Sequence, residues 1–208
     1  MRRRAFVALC VIASAFAPVV AGCSRKPAPR LPAIDAGGTI LAFGDSLTFG
    51  TGATPEESYP AVLERLIARK VVRAGVPGEV TAEGLARLPD ALDEFEPQLL
   101  ILCLGGNDLL RHLNEAAAAA NLRAMIKLAS DRGIAVVLVA PPRPVVLTSV
   151  PEFYADIAKE FRIPLEAEVL PKVLADRRLK SDLVHPNDKG YQLIAEALAK
   201  LLKDAGAL

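Results

Sequence analysis

The stretch TILAFGDSLTFG, residues 39–50, sets a near-continuous apolar run directly against Gly44-Asp45-Ser46 and closes on Gly50. A short run of this kind, with no polar alternation, suits a strand buried on both faces. Gly, Asp and Ser are turn formers, so the chain leaves that strand at once and holds Ser46 at its carboxyl end. Three more runs have the same character: VVRA (71–74), LLILCL (99–104) and IAVVLVA (134–140). RIPLEAE (162–168) is the candidate for a fifth strand.

Amphipathic helical patterns lie between the runs. Tyr59, Val62, Leu63, Leu66 and Ile67 recur at helical spacing. Leu85, Leu88, Leu92 and Phe95 do the same, as do Leu122, Met125, Ile126 and Ala129, and finally Tyr191, Ile194, Ala195, Leu198 and Leu201. Strands alternating with helices predict a three-layer α/β domain around a parallel sheet of four to five strands. In open sheets of this type ligands bind at the carboxyl ends of the strands. The residues just past each strand therefore carry the chemistry.

Gly75 comes at the end of the second strand, Gly105-Gly106-Asn107 after the third, and SDLVHPN (181–187) before the last helix. Each can be read as a turn: a glycine start, a left-handed Asn, or a helix entry capped by Asn187. Together they fit nucleophilic catalysis. A serine hydroxyl needs a base, most often histidine, and the chain has two histidines, His112 and His185. Asp182 sits three residues before His185, close enough to hold the ring in one tautomer, and Pro186 restricts the backbone at His185. His112 has only Glu115 nearby. Backbone N–H groups at Ser46 and Gly75 and the Asn107 amide are candidate donors to a developing oxyanion.

The chain has 208 residues, 52% of them apolar, and a net charge of +1. No basic stripe remains beyond Arg2, Arg3 and Arg4, which argues against a nucleic-acid partner. No acid/His cluster has ligand spacing, so no metal is expected, and no Gly-Lys-Ser/Thr loop is present. The start is different in character. MRRR followed by AFVALCVIASAFAPVV and a small-residue run ending in Cys23 reads as a lipoprotein-type export signal, residues 1–22, with lipidation expected at Cys23. Cys103 lies within a strand-like run and Cys10 within the signal, so Cys23 has no evident disulfide partner. Pro27, Pro29 and Pro32 suggest a stiff tether, on the order of 30 Å if extended. The expected organisation is signal (1–22), lipidated cysteine with tether (23–38) and domain (39–208). The expected location is a bacterial cell envelope, lipid-anchored to a membrane and facing the periplasm.

Gly44-Asp45-Ser46-Leu47, Gly75, Gly105-Gly106-Asn107-Asp108 and Asp182-Leu183-Val184-His185-Pro186, in this order, resemble the sequence blocks of the GDSL, or SGNH, hydrolases. The middle blocks are most similar to the bacterial arylesterase and acyl-thioesterase-I-like branch. The resemblance implies a flavodoxin-like sheet and a serine esterase acting on carboxylic esters through an acyl-enzyme, with no cofactor. It implies Ser46 as nucleophile, His185 as base, Asp182 as orienter, and an oxyanion hole from the Ser46 and Gly75 N–H groups and the Asn107 side chain. Asp45 and Asp108 would fix loops. Short acyl or aryl esters, lysophospholipids and thioesters are the substrate classes implied, and the apolar loop 140–150 is expected to line an acyl pocket. Arg73 stands where related enzymes commonly carry Asn, so weaker anchoring of the Gly75 loop and lower turnover are expected. The competing readings are a ligand-binding lipoprotein without turnover and a flavodoxin-type carrier, the latter suggested by FGTGATPE (49–56) but short of aromatic residues to stack on a flavin.

Overall fold

All four apolar runs form strands: β1 (Thr39–Gly44), β2 (Lys70–Gly75), β3 (Leu99–Cys103) and β4 (Ala135–Val139). The fifth is real but short, β5 (Leu165–Glu166). The computed structural model describes residues 29–144 and 146–208, so the signal-like segment 1–22 and Cys23 lie outside the described residues. The strands are all parallel in the order β2-β1-β3-β4-β5. That is the flavodoxin-like order, whose chain direction switches between β1 and β3 and opens a crevice there.

Period-two alternation along β1 and β3 serves the two faces of the sheet. Ile40, Ala42, Leu99 and Ile101 point to one side. There they pack with α2 (Tyr59–Ile67), α7 (Val169–Ala175) and α8 (Asp188–Ala205). Leu41, Phe43, Leu100 and Leu102 point to the other side and meet α3 (Thr81–Phe95), α5 (Glu115–Asp131) and α6 (Glu152–Phe161). These strand side chains are fully buried, and truncating one to alanine costs about 2–5 kcal/mol for a leucine or isoleucine. Two further short helices, α1 (Ser46–Phe49) and α4 (Gly106–Leu110), start directly after β1 and β3. Helix α6 is absent from the sequence-based expectation. Its stripe of Tyr154, Ile157 and Ala158 covers the sheet beyond the loop that leaves β4.

The tether expectation needs correction. Leu31 N–H donates to Ala205 O and Ile34 N–H to Ala207 O, both at 2.9 Å. Asp35 is held by Gln98 through two hydrogen bonds, of 2.9 and 2.7 Å. Ile34 is buried in the α8 side of the core. Residues 31–38 thus belong to the domain: prolines exclude a helix there but not docking, and the apolar Leu31 and Ile34 cover the end of α8. Residues 29–208 contain both cores, which makes this span a folding unit of its own. Among the described residues no helix is long and apolar enough to cross a membrane.

Candidate active site

Asp45 lies just past β1 and caps α1, its Oδ1 accepting the Leu47 N–H at 3.0 Å. Ser46 is the first residue of that helix, so its N–H has no intrahelical acceptor. The late turn is stitched by several bonds. Ser181 N–H donates to His185 O at 3.0 Å, and the Asn187 amide donates to Arg178 O at 2.9 Å while its oxygen caps α8 at Gly190. Asp182 Oδ1 accepts the N–H groups of Val184 and His185, each at 2.8 Å. Held this way, Asp182 Oδ2 lies 2.7 Å from His185 Nδ1, and His185 Nε2 lies 3.0 Å from Ser46 Oγ.

Burial acts to raise the Asp182 pKa, but the His185 ring and the Val184 and His185 N–H groups outweigh it and hold the carboxyl below its ordinary value. An ionised Asp182 can only accept, so Nδ1 carries the proton and donates to it. Nε2 is then free to accept from the Ser46 hydroxyl. The structure therefore brings Ser46, His185 and Asp182 into one hydrogen-bonded line across 139 residues of sequence.

The line opens onto a cavity of about 240 Å³ walled by Leu47, Thr51, Pro77, Gly78, Leu110, Pro141, Pro142, Pro144, Leu147, Leu174 and Val184, with Asn107 and Gly106 on its floor side. The loop after β4 supplies four of these residues, as expected. Its shape is fixed from outside. Arg143 N–H donates to Ser149 O at 2.8 Å, and the Arg143 guanidinium forms a two-pronged ion pair with Glu115 at the start of α5. That pairing lowers the Glu115 pKa.

The structure does not bring Gly75 to this cavity. Val76 N–H donates to Gly44 O at 2.9 Å, so Val76 turns toward β1 and Gly75 turns its own backbone groups to the open edge of the sheet. Gly75 is required for a different reason. A Cβ there would fall 2.6 Å from Thr48 C and 2.7 Å from Asp45 O, and closer still to Phe49 N, all backbone atoms of the α1 turn. The glycine on the cavity wall is Gly78, at φ +84°, with Arg111 Nη2 donating to its carbonyl at 2.6 Å. Its N–H has no acceptor among the described hydrogen bonds. The Pro77-Gly78 pair is the sequence signal for a turn at this point.

Asn107 does reach the cavity, but both N–H bonds of its amide are directed elsewhere: to Asp45 Oδ2 at 3.1 Å and to Glu79 O at 3.0 Å. Asp45 is buried, and desolvation, aided by Glu79 and Asp108, pushes its pKa from 3.8 up to about 7 against the Leu47 N–H and His185. Asp108 fixes the neighbouring loop by accepting from the Thr81 N–H at 2.9 Å and the Thr81 hydroxyl at 2.7 Å. Glu79, also buried, is held by Arg87 through bonds of 2.7 Å from both Nε and Nη2. Arg73 strengthens the site's frame rather than loosening it: it donates to Phe49 O at 2.7 Å, at the end of α1, and lies 5.0 Å over the Phe49 ring. His112 lies away from the triad, in a hollow with Glu115 and Arg143. Among the described residues no cluster of three potential metal ligands occurs.

The profile of the GDSL-like Lipase/Acylhydrolase family matches residues 42–193. The Escherichia coli (strain K12) protein "Thioesterase 1/protease 1/lysophospholipase L1" is 30% identical over 173 residues, covering 79% of this chain and 83% of that protein. The Vibrio mimicus "Arylesterase" is 31% identical over 174 residues, 78% of this chain and 87% of its own length. Among solved structures, that of TesA superposes with a TM-score of 0.72 at 28% identity, over 80% of this chain and 99% of the other. The SGNH-hydrolase family esterase AlinE4 gives 0.61 at 31%, over 85% and 100%. With the flavodoxin-like sheet and the Ser-His-Asp line already in place, these matches establish that the chain belongs to the GDSL-like lipase/acylhydrolase family and is a serine esterase.

Proposed function

We propose that Ser46 is the nucleophile, His185 the general base and Asp182 the residue that fixes the imidazole. The observation that carries this is the continuous line Ser46 Oγ–His185 Nε2–Asp182, with separations of 3.0 and 2.7 Å. Ser46 Oγ attacks the ester carbonyl carbon as its proton passes to Nε2. The carbonyl electron pair moves onto oxygen, and the tetrahedral species collapses to an acyl-serine as the imidazolium protonates the departing alkoxide. Water, deprotonated by His185, then attacks the acyl-serine, and the imidazolium returns that proton to Ser46 Oγ as the acid leaves. The Ser46 and Gly78 N–H groups, both on the cavity wall and both without an internal acceptor, are the oxyanion donors in this scheme. Asn107 supplies a third donor by turning toward the oxyanion the N–H it now gives to Asp45.

A cavity of about 240 Å³ is smaller than the ~300–1,000 Å³ typical of drug-sized ligands, which favours a short acyl group against the proline wall. The substrates proposed are carboxylic esters with small acyl groups, including aryl esters and amphiphiles of the lysophospholipid kind. Thioesters fit the same chemistry. A binding protein without turnover would have no use for the aligned hydroxyl, imidazole and carboxylate. We also infer export and lipidation at Cys23, with an envelope location facing the periplasm; the support is the MRRR–apolar–Ala21-Gly22-Cys23 order.

The test is hydrolysis of p-nitrophenyl butyrate by residues 29–208, which keeps Leu31 docked, beside Ser46→Ala. The substitution is expected to lower kcat by roughly 10³–10⁶-fold. Equal rates in two folded proteins would refute the assignment. Radiolabelled palmitate incorporated into the full chain but not into Cys23→Ala would support the anchor.

A further inference from the structure

Leu110, Leu113, Val146 and Leu183 are 46, 46, 51 and 81% exposed; Leu110, at the end of α4, lines the cavity, Leu113 and Val146 line the adjoining hollow that shares Pro144 with it, and Leu183 lies in the turn that carries Asp182 and His185. Leu183 stands between Asp182 and the cavity residue Val184 with nothing over it. Four large apolar side chains on one rim are a patch rather than scattered surface residues. The charges on segments 110–115, 143–149 and 176–185 are one-sided. Glu115 is paired with Arg143, Asp176 with Arg178, and Asp182 is engaged by His185. Arg111, Arg177 and Lys180 take no part in an ion pair among the described residues; Lys180 donates to Leu183 O at 3.3 Å and Arg111 to Gly78 O. The body behind is acidic: five cations and no acid precede residue 29, so a net +1 for the chain leaves −4 for residues 29–208.

We propose that this rim is a docking face for an anionic lipid surface, on which the esterase takes amphiphilic esters directly from the aggregate. The inference rests on the esterase reading of the cavity and specifies its substrate class. Exposed leucines enter the headgroup region, and the unpaired cations meet lipid phosphates. The acidic body is repelled by the same surface, so only the mouth-down orientation is favoured. The charge complementarity selects a lipid surface carrying net negative charge over a neutral one.

The test uses residues 29–208 carrying Ser46→Ala, so that binding is read without turnover. Cosedimentation with phosphatidylglycerol vesicles is compared with phosphatidylcholine vesicles. Binding to the anionic vesicles is expected to weaken by roughly fivefold for Lys180→Gln, from about 1 kcal/mol per cation near the surface. It should also weaken for Leu183→Ser with Leu113→Ser. In the Ser46 protein the same leucine substitutions should leave hydrolysis of monomeric p-nitrophenyl butyrate unchanged and lower hydrolysis of an ester held in anionic vesicles. Equal binding to neutral and anionic vesicles, or binding indifferent to both sets of substitutions, overturns the docking face. Loss of turnover on every ester with vesicle binding intact would instead overturn the esterase assignment.

Discussion

Replacing Asp45 with Asn isolates a buried carboxyl whose charge state the fold controls. Asp45 is 2% exposed, and its two oxygens accept from Leu47 N–H and Asn107 Nδ2. Asparagine keeps the shape but offers one acceptor oxygen, so one of those donors faces an NH₂ group. Leaving a buried donor unmet costs about 1–3 kcal/mol. The carboxylate has an opposing cost. Its pKa rises from 3.8 to about 7 on folding, mainly through burial. Below both values Asp45 is neutral in either state and carries no penalty. As pH rises between them the unfolded chain releases its proton while the folded protein keeps it, and native stability falls by ~1.4 kcal/mol per pH unit. The loss is complete above the folded value, at about 4 kcal/mol in all. Asp45→Asn is therefore expected to be the less stable protein at about pH 4, by ~1–3 kcal/mol, and the more stable at about pH 9 by a similar amount. Urea unfolding followed by circular dichroism at both pH values reads this directly, provided the slopes agree. A stability difference that stays constant across that range would mean Asp45 titrates alike in the folded and unfolded chain, and the reasoning would fail.

The two glycines separate by which quantity they change. Gly75→Ala drives a Cβ into the backbone of α1, so Tm should fall by several degrees, from an overpacking cost of about 1–3 kcal/mol, with kcat falling as Ser46 shifts. Gly78→Ala has room, with Arg111 Nη2 at 3.4 Å, but strains a φ of +84°; a kcat loss of roughly 10–100-fold with a small Tm change is expected, and unchanged kcat would remove Gly78 from the oxyanion site. Asp182→Asn should lower kcat by about 10³–10⁴-fold and lower Tm modestly at neutral pH, where the carboxylate contributes its stability. Because the Asp182 pKa is depressed, the stability that carboxylate contributes is present above the ordinary carboxylate range. It is lost as pH falls through the folded value, and a thermal-melt series into acid will show it in the parent and not in the variant. Arg73→Asn removes the bond to Phe49 O and the contact with the Phe49 ring, and should lower both Tm and kcat slightly. A rise in turnover would show that Arg73 hinders the site.

The strands are legible because a parallel sheet covered on both faces needs unbroken apolar runs, as in Leu99–Cys103, and few other elements use them at that length. Helices α2, α3, α5 and α8 carry a clean one-sided stripe. β5 is ambiguous because two residues cannot display a period, and α1 and α4 because four or five residues cannot display a helical one. The catalytic line is legible through residue chemistry: two histidines, one with an acid three positions before it. The glycine on the cavity wall is not. Gly75 ends β2 and Gly78 lies three residues beyond it, and only the register of β2 on β1 decides which of them faces the cavity. Sequence alone does not carry that register. The docking of residues 31–38 is hidden in the same way, since proline content reports on backbone conformation and says nothing about what a segment packs against.

The hydrogen bonds from Leu31 to Ala205 and from Ile34 to Ala207 place both ends of the described chain side by side, at the end of the sheet where β1 begins. The mouth lies at the other end of the same strands. Joining residue 208 to residue 29 by a few residues and reopening the chain at an exposed loop away from the mouth, such as that around Gly133, gives a permuted protein whose catalytic end is untouched. For the same reason a support or fusion partner attached at either terminus holds the enzyme like a handle, with its working end turned outward and unobstructed.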